Sequence, residues 1–158
     1  MSEMLGTYLQ DHLAGSTAGL ELARRTAGSN QGSRYGARLE QLVTEIAEDR
    51  DSLLRVMERL AVGPSRLKNA GGWTMEKLGR LKPNNRWLSY SPLSRVLELE
   101  GLLIGVTGKL ALWESLRVTL ADQLDGVDLA ELSARATDQR SRLEEMRRSA
   151  ATEAFEQR

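Results

Sequence analysis

At 158 residues the chain is the size of one domain, and with no cysteine it can build neither a disulfide framework nor a thiolate site. Its 22 basic and 22 acidic residues cancel, so net charge favours neither nucleic acid nor an anionic membrane surface. The longest apolar stretch, around Leu102 to Val106, is too short to span a bilayer. Met1-Ser2-Glu3-Met4 has no basic, then apolar, leader pattern, so the expected location is cytoplasmic.

Four long helices are predicted. The first covers about 3–25: Ser2 is placed to cap it, and Leu5, Tyr8, Leu9, His12, Ser16, Leu20 and Ala23 recur at steps of three and four. Ala27-Gly28-Ser29-Asn30-Gln31-Gly32-Ser33 reads as a loop, with Ser33 placed to cap the second helix. That helix covers about 34–61. Tyr35, Leu39, Leu42, Ile46, Asp49, Leu53, Val56 and Leu60 form a near-heptad seam, and Gly63-Pro64 is expected to end it.

Residues 64–91 read as a long, partly helical connection broken at Gly71-Gly72 and Pro83-Asn84-Asn85. Ser91-Pro92 is a cap followed by proline at the first helical position, opening a third helix over about 92–121. Leu93, Val96, Leu97, Leu103, Ile104, Val106, Leu110 and Trp113 are expected to form its apolar sector. Gly101, Gly105 and Gly108 fall on the other face; glycine costs on the order of 1 kcal/mol against alanine in a helix, so three suggest close approach of another backbone, with the Trp-containing connection as the candidate. The fourth helix, about 128–156, starts at Asp128 and Glu131 in capping-box spacing, and its seam runs through Leu129, Leu132, Ala136, Gln139, Leu143, Met146, Ala150 and Ala154. The fold class is therefore all-α: an antiparallel four-helix bundle in one domain.

Polar residues at seam positions are the candidates for chemistry. His12, the single histidine, lies in the stripe of the first helix and Asp49 in the seam of the second. Antiparallel pairing about a loop near residue 30 sets residue i opposite roughly 60 − i, so His12 is expected to meet Glu48 and Asp49. Glu100 and Glu114, with Thr107 between them, and Gln139 complete an expected buried polar cluster. Such a cluster either satisfies itself and fixes helix register or forms a ligand site.

An antiparallel bundle with inward carboxylates and a histidine resembles the ferritin-like superfamily. That resemblance is architectural and implies a metal centre, which in that family takes Glu from two helices and Glu-x-x-His from the other two. Here there is one histidine and no Glu-x-x-His, so no di-iron centre is expected. What the resemblance leaves is a reduced site holding one divalent metal through His12, Asp49 and Glu100 or Glu114; otherwise no cofactor is expected.

Between Pro64 and Arg95 lie seven basic residues and one acid, a net +6 that leaves −6 elsewhere. Trp73, Trp87 and Tyr90 lie there too. Lys77, Arg80, Lys82, Arg86 and Trp87 would either anchor the connection on acidic helices or capture an anionic partner. The sequence thus suggests a non-enzymatic bundle acting through a protein partner or self-association, or a degenerate ferritin-like protein that binds one metal or small ligand in its core. No membrane partner is expected.

Overall fold

The computed structural model describes residues 2–63 and 90–156. Four helices make up nearly all of them: α1 (Glu3–Ser29), α2 (Gly36–Arg59), α3 (Pro92–Leu120) and α4 (Leu129–Phe155), with a 3-10 turn at Ala121–Gln123. There is no strand among the described residues, and none of their helices is long and apolar enough to cross a membrane. The connection predicted over 64–91 falls outside them except for Tyr90 and Ser91.

Three helix starts obey the expected cap chemistry, in which a short polar side chain accepts from an amide that has no helical partner. Ser2 Oγ accepts from the Leu5 amide (3.2 Å), Ser91 Oγ from Ser94 (3.1 Å) and Asp128 Oδ1 from Glu131 (2.8 Å). Ser33 differs. The residue flanking α2 is Tyr35, with no side-chain cap, and Ser33 Oγ instead accepts from the Tyr35 amide while donating to the Asn30 carbonyl.

Two helix ends also differ from expectation. α1 runs a turn past residue 25 because Asn30 closes it, its side-chain amide donating to the Thr26 carbonyl (2.8 Å) and its backbone amide to Ala27 (3.1 Å). α2 ends before Gly63-Pro64. Ala61 takes the left-handed region (φ 51°), and the amides of Ala61 and Val62 bond back to Glu58 and Met57. That is the double closure usually built on glycine.

Neighbouring helices run antiparallel. Gln10 near the start of α1 donates to the Gly63 carbonyl just past α2 (3.1 Å), and Arg25 near the end of α1 pairs with Glu98 early in α3 (3.1 Å). Arg38 of α2 pairs with Glu145 of α4, and Arg135 of α4 with Glu48 of α2. Arg95 of α3 reaches Glu153 of α4. α2 and α3 are therefore parallel and diagonal, so Gly63 and Tyr90 lie at opposite ends of the bundle.

The core is divided. One apolar cluster gathers Leu9, Leu13, Leu53, Val56, Trp113, Leu116 and Leu132; the other gathers Leu20, Ala23, Leu39, Leu42, Leu99, Leu102, Leu143 and Met146. Residues near 15–19, 47–52, 107–109 and 137–142 form the waist between them.

α3 corrects the predicted sector. Its buried residues are Val96, Leu99, Leu102, Val106, Leu110, Leu112, Trp113 and Leu116, whereas Leu93, Leu97 and Ile104 are exposed, Ile104 to 73%. Apolar residues occur nearly all round this helix, so periodicity alone does not select the face that packs.

Candidate functional site: a polar waist and an interhelical cleft

Helical seams place Asp49 and Gln139 at one height on facing helices, both fully enclosed: Asp49 is 2% exposed and Gln139 0%. A buried carboxylate requires hydrogen-bonding or cationic partners. Two long side chains supply them. Lys109 Nζ of α3 donates to Asp49 Oδ2 and to Gln139 Oε1, and Arg135 Nε of α4 donates to Asp49 Oδ1 (2.8 Å). Gln139 Nε2 donates to Asp49 Oδ2 (3.0 Å) and Glu45 Oε2 (3.1 Å). Arg142 extends the network by pairing with Glu45 and with Asp138 (2.7 Å), and Arg135 also reaches Glu48 (3.2 Å). Burial pushes the Lys109 ammonium below its ordinary value, and Asp49 opposes that shift.

The predicted His12–Asp49 hydrogen bond is not made directly. His12 is half-buried and stacks edge-on against Tyr8, ring centroids 4.5 Å apart. Its pKa is lowered by burial, against the opposing pull of Asp11, so it is predominantly neutral at pH 7. Physically, Asp49 finds stronger partners in two cations than a neutral imidazole offers.

Glu114 and Thr107 are exposed, and Glu100, its side chain 44% exposed, lies 3.8 Å from Arg147. The proposed metal trio of His12, Asp49 and Glu100 is therefore not assembled. Among the described residues no three His, Cys, Asp or Glu side chains come together as a metal-binding group. Lys109 and Arg135 occupy the positions beside Asp49 that a cation would take. Of the predicted polar cluster, the structure brings together Asp49 and Gln139 and adds Lys109, Arg135, Glu45 and Arg142. Lys77, Arg80, Lys82, Arg86 and Trp87 lie outside the described residues.

Between α1 and α3, at the height of the waist, opens a cleft of about 440 Å³. Small residues shape it. A side-chain carbon added at Gly15, Gly19, Gly105 or Gly108 would meet nothing within 4 Å among the described residues. Among the described residues these glycines leave space; the connection that the sequence suggested as the neighbour of those in α3 falls outside the described residues. The cleft floor is apolar, with Ile46, Leu53, Val106 and Leu112, and it reaches inward to Lys109 and Asp49. Asp11, His12 and Arg50 also line it. Trp113 forms part of the wall, and its buried indole N–H has no hydrogen-bond partner among the described residues.

The fold and site define a class: an all-α four-helix bundle with a charged waist and an apolar cleft that opens onto it. No protein family, curated protein or solved structure matches the chain.

Proposed function

We propose that this is a non-enzymatic binding protein that receives a small, largely apolar guest in the α1–α3 cleft. One observation carries the reading: a glycine-walled cleft of drug-like volume runs from the surface to a buried ion pair. Ligand sites commonly combine about 300–1,000 Å³ of mainly apolar space with a few convergent polar groups. None of the described residues fills that space, and filling it would bury more apolar surface. The polar residues support binding rather than catalysis, since Asp49, Lys109 and Gln139 are bonded to one another and His12 stacks on Tyr8 beside Asp11.

The test is to fill the cleft. An added carbon at Gly105 meets open space, so Gly105→Leu puts its side chain there without a clash at Cβ, while removing a helix-interior glycine. The variant should melt no lower than the parent, because leucine is favoured over glycine by roughly 0.8 kcal/mol in helices. It should also lose binding of an uncharged solvatochromic dye such as Nile red. Equal dye binding by both proteins would remove the cleft from consideration.

Self-association is supported less well. Leu97, Ile104, Ala111 and Val118 recur every seven residues along the exposed face of α3. That face, from Leu93 to Val118, is roughly 38 Å long and about 10 Å wide. It would bury on the order of 400 Å² per partner, about half the standard value for a stable interface. A ferritin-like lineage is the other reading. Its support is the parallel pair α2 and α3, an order such bundles share, and among the described residues it carries no metal-binding donor set into this cleft.

A further inference from the structure

Resting on that reading of the cleft, we propose that its guest carries one uncharged hydrogen-bond acceptor, a carbonyl or hydroxyl oxygen, held by Lys109 Nζ at the inner end. An ammonium has three N–H donors. Among the described residues Lys109 uses two, to Asp49 and Gln139. None of the described residues accepts from the third, and the residue lines the cleft with its side chain 14% exposed. A guest without an oxygen at this point would cover the N–H and leave it buried and unpaired, so an acceptor placed here selects its ligand.

Charge decides between a neutral and an anionic head. Lys109 already faces Asp49, Arg135 divides its charge between Asp49 and Glu48, and Arg142 between Glu45 and Asp138. The arginine at the mouth, Arg50, is offset by Asp11 and lies 4.0 Å from Asp51. Among the described residues no cation at the cleft is left over for a buried carboxylate, and a desolvated anion without one is costly. A cationic head would meet the Lys109 ammonium. A neutral oxygen uses the free N–H without changing the charge balance.

The volume sets the size. A cavity of about 150 Å³ takes benzene, so 440 Å³ suits, in proportion, a guest of roughly fifteen heavy atoms or slightly more. The apolar walls take its body, and the oxygen points inward.

Three compounds of similar size test this: cyclohexyl phenyl ketone, its hydrocarbon analogue benzylcyclohexane and 4-cyclohexylbenzoate. Competition with the dye on the intact chain should rank the ketone roughly tenfold or more tighter than the hydrocarbon, with the carboxylate weakest. The carbonyl stretch of the bound ketone should shift to lower frequency than in alkane solvent. Lys109→Met, which keeps the apolar stem, should abolish both the preference and the shift while hydrocarbon still binds. If that variant does not fold, the ranking and the carbonyl shift in the parent protein still decide. Ketone and hydrocarbon binding equally, or an unshifted carbonyl, would overturn the assignment of the acceptor and leave the cleft reading standing. A carboxylate binding tightest would overturn the neutral head. Failure of all three compounds to displace the dye, or to bind at all, would overturn the cleft reading with it.

Discussion

Asp49 shows what one seam position does and does not reveal. Its place among leucines and isoleucine marks a buried polar residue, and the structure encloses it. Its partners are not legible in the sequence, because lysine and arginine at the edge of an apolar sector read as solvent-facing. Their aliphatic stems pass beside the core and carry the charge inward as readily as outward. The histidine, which stands out in the sequence because it is unique, is a neutral ring against Tyr8. Removing one member of a buried pair strands the other, so Asp49→Ala should cost about 3–5 kcal/mol. Lys109→Met combined with Asp49→Ala should cost clearly less than the sum of the singles, since contacting groups are not additive. Urea unfolding of the four proteins measures the coupling, and additive losses would mean that the pair contributes nothing as a pair.

Among the helices, legibility tracks the strength of the pattern. α2 and α4 alternate apolar and charged residues, and their seams are legible through Leu39, Leu42, Leu53, Leu132 and Leu143. α3 has apolar residues on nearly every face, and the predicted sector includes Leu93, Leu97 and Ile104, which face outward. The glycines are ambiguous for a related reason: a helix stripe without side chains permits either close approach or empty space, and only what lies against it decides. Helix ends reached by an asparagine side chain or by a left-handed alanine are likewise invisible to cap rules written for glycine and proline. The register of α3 has a direct mutational signature. Leu102→Ala removes a buried side chain and should cost about 2–5 kcal/mol, whereas Ile104→Ala should stay within about 0.5 kcal/mol of the parent. Thermal or urea unfolding of the two variants measures the contrast. Comparable losses at the two positions would require a rotated helix.

For the whole molecule, the helix order sets what each end must do. α1 and α2 share a short loop at the end where α3 begins and α4 finishes, so four chain segments meet there and need fastening. Asn30 does this from the centre. It is 1% exposed, donates to Thr26 and to the Tyr90 hydroxyl (2.7 Å), and accepts from Arg95 Nε (2.6 Å). Arg95 lies over the rings of Tyr35 and Tyr90 and continues to Glu153 of α4. The Tyr90 hydroxyl donates to Glu98 (3.1 Å). In sequence, Asn30 is one polar residue in a glycine- and serine-rich run, which marks a turn and nothing more. The latch has a pH signature. Burial, reinforced by the Glu98 carboxylate, pushes the Tyr90 phenol up to about 12 from 10.0. The folded state therefore holds this proton where the unfolded chain releases it. The resulting stabilisation is complete below pH 10 and is lost as pH rises towards 12. Unfolding free energies measured by urea at steps between about pH 9 and 11.5 should fall more steeply for the parent than for Tyr90→Phe, which has no phenol to ionise. Parallel curves would mean that Tyr90 ionises as freely in the folded protein as in the unfolded chain, and that its hydroxyl does not fasten this end.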